Sequence, residues 1–136
     1  MSRAALTHLH RWVPRITALV WAGFTTSTAW AYHGKIPAQL HDIEALTPIP
    51  LWGLWATASV LLILGGIAPT RPHTRQHDIA RYMRSAGIAL AAGLLMLWSL
   101  TYFDGDGRYW VSGKNYLMLS ILGLLNAWTI GKDEVS

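Results

Sequence analysis

The chain has 136 residues, 11 Lys or Arg, 7 Asp or Glu and no cysteine, with a formal net charge of +4 at pH 7. The lack of cysteine excludes disulfides, thiolate metal sites and a cysteine nucleophile. The length suits one compact unit rather than several domains.

Four apolar stretches, at about 16–32, 49–68, 85–103 and 115–131, contain no charged side chain. Each is near the ~20 residues that one helix needs to cross a bilayer. A soluble four-helix bundle would need a charged outer face on every helix, and these stretches have none. The sequence therefore predicts an all-α integral membrane four-helix bundle, multi-pass in a bacterial cytoplasmic membrane, with the lipid bilayer as its first partner.

In chain order, Met1–Val13 is a basic lead-in, with Leu6, Leu9 and Val13 at helical spacing. It is expected to lie on the inner surface, and Pro14 to open the first span, where a missing N–H is harmless. Within that span Thr17, Trp21, Thr25, Thr28 and Tyr32 form a polar stripe. Its hydroxyls are expected to bond back to their own helix or to a neighbour. The alternative is a pore-lining role for Thr17, Thr25 and Thr28. The first span is expected to be retained. Cleavage after a small-x-small pair, Ala29 and Ala31, would instead leave three spans.

The long loop that follows is predicted to carry an interfacial helix at about 37–46. Ile36, Leu40, Ile43 and Leu46 lie on one of its faces, with Asp42 and Glu44 on the other. His33, His41, Asp42 and Glu44 form the better of two candidate cation clusters. The other, His73 and His77 beside Asp78, has the i, i+4 spacing of a helix-borne metal site. It lies among arginines that repel a dication.

Two prolines, Pro69 and Pro72, break the chain after the second span, and Asp104–Gly107 reads as a turn before the fourth. Spans three and four carry small-residue ridges. Ser85, Ala89 and Gly93 repeat every four residues, as do Gly123, Ala127 and Gly131, with Asn126 beside the second ridge. Such ridges let helix backbones approach closely. Aligning the two halves at an offset of 70 pairs Gly23 with Gly93, Tyr32 with Tyr102 and Gly53-Leu54 with Gly123-Leu124, which suggests two hairpins of like orientation.

The cations set the orientation. Arg3, Arg11, Arg15, Arg71, Arg75, Arg81, Arg84 and Lys132 fall on one side, and Lys35, Arg108 and Lys114 on the other. The positive-inside rule makes the first side, with both termini, cytoplasmic. The positive net charge is thereby a topology signal, and no nucleic-acid partner is expected. Trp12 and Trp128 are placed as anchors near the inner interface. Trp30, Trp52, Trp55, Trp98 and Trp110 are placed near the outer one.

Several chemistries have no residues to carry them. The spans contain no histidine for haem and no carboxylate for a proton relay. No cofactor is expected. Leu51-Trp52-Gly53-Leu54-Trp55 opening the second span and Gly107-Arg108-Tyr109-Trp110-Val111-Ser112 before the fourth resemble, in overall layout, small multi-span membrane proteins of bacteriophages that infect high-GC Gram-positive bacteria. Some proteins of that kind are holins, which oligomerise in the inner membrane. This chain departs from the usual holin plan in having four spans and a short tail that is not basic. The resemblance implies a non-enzymatic effector that acts by helix–helix assembly, through self-association or a membrane-protein partner. The alternatives are an accessory subunit of a larger membrane complex, and an interfacial ion-binding protein or enzyme built on the outer-loop His, Asp and Glu.

Overall fold

A computed structural model describes residues 2–35, 38–68, 75–104 and 107–132, with backbone alone at 39, 76, 77, 131 and 132. The expectations for Ile36 and Pro37, for the Pro69–His73 break, for the centre of the Asp104–Gly107 turn and for the tail fall outside the described residues, as do those for the side chains of His77 and Gly131.

The described chain is all-helical, without a strand. The helices are α1 (Arg3–Tyr32), α2 (His41–Leu46), α3 (Leu51–Ile67), α4 (Arg75–Phe103) and α5 (Tyr109–Lys132), with a 3₁₀ turn at Ala38–Leu40 leading into α2. Ser2 caps α1 by accepting from the Ala5 N–H at 3.3 Å. α1 then runs through Pro14 without interruption. The basic lead-in is therefore not a separate surface helix, as the sequence suggested. It is the first part of a 30-residue rod about 45 Å long. Pro14 forfeits one backbone bond, yet the following turn is tied to α3 by Arg15. α4 likewise starts ten residues before its apolar stretch, at Arg75 rather than Ser85.

Among the described residues one helical segment, Asp78–Phe103 of α4, is long and apolar enough to cross a membrane by length and composition. α3 is apolar but shorter, at 17 residues.

The long helices pack in the order α1 on α3, α3 on α4 and α4 on α5. The ring closes most loosely between α1 and α5, where the Trp21 ring reaches Gly123. Leu40, in the 3₁₀ turn, is buried against this core, and the turn itself packs on α4. Ile43 packs beside it, whereas Leu46 stays 85% exposed. Only part of the predicted apolar face of the loop helix is thus used, as a plug on one end of the bundle.

Candidate functional site

Aromatic rings fill the half of the core nearest that plug. Trp98 stands at the centre, with ring centroids 4.8 Å from Tyr32, 5.1 Å from Trp55 and 5.6 Å from Tyr116. Phe24 links Trp55 to Trp21, at 5.9 and 5.8 Å. Most of these contacts are edge-to-face, the arrangement that ring quadrupoles favour.

Trp55 and Trp98 are buried, at 0% and 2% exposure, which corrects their assignment as interface anchors. Both lie one turn or more inside their helices, where the ring is turned to α1 and α3 or α4 instead of to a headgroup. Trp12, Trp30, Trp110 and Trp128 are exposed, and Trp52 is half-buried against His33 at 4.8 Å.

The two small-residue ridges behave differently. On α5, Gly123 and Ala127 face inward. A Cβ on Gly123 would lie 3.0 Å from the Ala92 Cβ and 3.1 Å from Trp21 Cη2, so glycine sets the approach of α5 to α4 and to Trp21. Ser120 donates to the Ala92 carbonyl at 2.8 Å and Ser85 to the Ala127 carbonyl at 3.2 Å. Both hydroxyls therefore fasten the same seam, and Asn126 lies half-buried beside it.

Ala89 and Gly93 on α4 are exposed instead, and a Cβ on Gly93 would meet nothing within 4 Å. Their ridge marked a close helix approach, and within the chain Gly93 has none. α4 already presents Gly87 to α3 and Ala92 to α5, and the four-residue spacing of Ala89 and Gly93 falls on a third face.

The threonine stripe also turns inward. Thr25 and Thr28 are buried and donate to carbonyls of their own helix, Ala22 at 3.1 Å and Phe24 at 2.7 Å. Thr17 is half-buried. On α1 Thr26, outside the stripe, crosses to another helix and hydrogen-bonds Ser59 of α3.

Two arginines from neighbouring helices meet at the C-terminal end of α3. Its last carbonyls have no partners within the helix. Arg15 of α1 donates Nε to the Gly66 carbonyl at 3.0 Å and Nη2 to that of Ile67 at 3.4 Å. Arg84 of α4, 1% exposed, donates Nη1 to the Gly65 carbonyl at 2.9 Å. Two cations so placed also oppose the negative end of the helix dipole. The glycines make room for them: a Cβ on Gly65 would lie 3.0 Å from the Arg84 backbone nitrogen, and one on Gly66 would lie 2.8 Å from Leu19. In the sequence these arginines read only as topology determinants. The adjacent glycines at the end of an otherwise bulky apolar stretch were the available sign of a crowded crossing.

His33, His41, Asp42 and Glu44 do not converge. Among the described residues no three His, Asp or Glu side chains come together to hold a metal ion. His33 is drawn to Trp52, while His41 and Asp42 are exposed on a short helix. No family model, curated protein or solved structure matches this chain.

Proposed function

We propose that this is a multi-pass membrane protein of the bacterial cytoplasmic membrane, with four spans and both termini cytoplasmic, that works by helix–helix assembly. The observation that carries this reading is the distribution of side chains between inside and outside. Val20, Val60, Leu100, Leu122, Leu125 and many other large apolar side chains are exposed, while Thr25, Ser59, Ser99, Ser120 and Arg84 are buried. In water an apolar exterior of this extent would be an aggregation surface. In lipid it is the expected one, with hydroxyls held between helices. The lengths of α1, α4 and α5 are compatible with crossing. α3, at about 26 Å, would cross with some local thinning.

The assembly part of the proposal is supported by the outward notch at Ala89 and Gly93, where a second backbone could approach closely. A holin-like effector would use that notch between copies, and an accessory subunit would use it on a larger partner. Retention of the expressed protein in membranes after alkaline washing tests the membrane reading. Reporters fused after Lys132 and at Gly107 should report opposite compartments. Loss of membrane potential on expression, with oligomers in native mass spectra, supports the effector. Silent monomers favour the accessory subunit. A carboxy-terminal reporter outside the cytoplasm would overturn the four-span plan.

A further inference from the structure

The outer surface is not closed between α1 and α3. An open groove of about 630 Å³, with largely apolar lining, runs past Leu19, Gly23, Thr26 and Trp30 of α1 and Ile63 of α3. Its floor is the bare backbone at Gly23, where an added Cβ would meet nothing within 4 Å. From Arg15 to Thr26, along the inner part of the groove, α1 rises about 16 Å, close to one leaflet of a hydrocarbon core ~30 Å thick.

Beyond the Leu19 end of the groove the same helix carries two arginines. Arg15 lies one turn before Leu19 on the same stripe of α1, held by the Gly66 and Ile67 carbonyls and with its guanidinium 4.9 Å from the Trp12 ring centroid. Those two bonds use two of its five N–H donors. Arg11, one turn earlier, is exposed.

An apolar trough with two arginines on the next two turns of the same helix is complementary to an amphiphile with an anionic head. It is poorly suited to a parallel second copy, whose own arginines would meet these. We propose that the groove holds one acyl chain of an anionic phospholipid, with the headgroup phosphate at Arg15 and Arg11. The proposal rests on the membrane reading above. Gly23 provides depth for the chain, Ile63 and Leu19 form its walls, and the arginines select the charge of the head.

The test uses the full chain in nanodiscs of phosphatidylcholine doped with phosphatidylglycerol, released into native mass spectrometry. The expected result is a retained phosphatidylglycerol adduct on the wild type. It should fall several-fold in Gly23→Leu, which puts a side chain into the trough at a position where a Cβ meets nothing within 4 Å, and in Arg11→Gln, which leaves the trough open. An adduct unchanged in both variants overturns the proposal. So does a wild-type dimer that Gly23→Leu abolishes, because a second copy would then be the occupant. Wild type that stays in the membrane pellet after alkaline washing yet keeps no anionic lipid rejects the groove while leaving the membrane reading intact. Release by that wash removes both.

Discussion

Arg84 is buried within α4 and still reaches the Gly65 carbonyl of α3 at 2.9 Å. The contact exists because position 65 has no Cβ. One added there would sit 2.7 Å from Arg84 Cγ and 3.1 Å from the Ala80 carbonyl oxygen. Gly65→Ala should therefore push α3 off α4 and cost about 1–3 kcal/mol, the usual range for overpacking a tight contact. Arg84→Met keeps the aliphatic stem and removes the charged donor, and should cost about 1.5–3 kcal/mol. Thermal unfolding in detergent would measure both. An unchanged midpoint in Gly65→Ala would mean that the α3–α4 crossing is looser than described.

Gly123 and Gly93 have the same sequence pattern and opposite surroundings. Gly123 is closed in by Ala92 and Trp21, whereas Gly93 opens outward. Gly123→Leu should disrupt the bundle itself, with early unfolding and altered near-ultraviolet dichroism as Trp21 is displaced. Gly93→Leu should leave the unfolding midpoint within experimental error. Any oligomer seen by native mass spectrometry should weaken in Gly93→Leu. Equal destabilisation by the two substitutions would contradict the inward and outward assignment.

The hydroxyls on the same seam should matter less. Ser120 bonds the Ala92 carbonyl and Ser85 the Ala127 carbonyl. Polar contacts between helices in membranes average about 0.6 kcal/mol. Ser120→Ala and Ser85→Ala should each cost about that much, and Asn126→Leu should also cost less than Gly123→Leu. A loss in Ser120→Ala comparable to that in Gly123→Leu would show that hydrogen bonding, not close packing, dominates the seam.

The helices were legible in the sequence because long apolar runs bounded by proline and charge have few other structures available. Their inward faces were much less legible. Apolar residues recur all round these helices, so periodicity does not separate Trp55, which is buried, from Trp52 three residues earlier, which is half-exposed. Small-residue spacing marks a close approach without naming the neighbour. Gly123 meets its own chain, and Gly93 does not. Arg15, next to Pro14 in a helix that runs on through the proline, docks 51 residues away at Gly66, a contact no local pattern encodes.

The threonine stripe decides how any membrane lesion would be lined. Thr25 and Thr28 are buried inside one bundle and bonded to their own helix. They cannot line a path between intact copies. If expression depolarises the membrane, Thr25→Val with Thr28→Val should leave the depolarisation unchanged, because each loses only a bond to its own backbone. Gly93→Leu should reduce it, since the outward notch is the proposed contact between copies. Onset should steepen with expression level, as an assembly step requires. The reverse pattern, with the double valine protein silent and Gly93→Leu fully active, would mean that the bundle opens between α1 and α5, where its packing is weakest, and exposes the threonines to the conducting path.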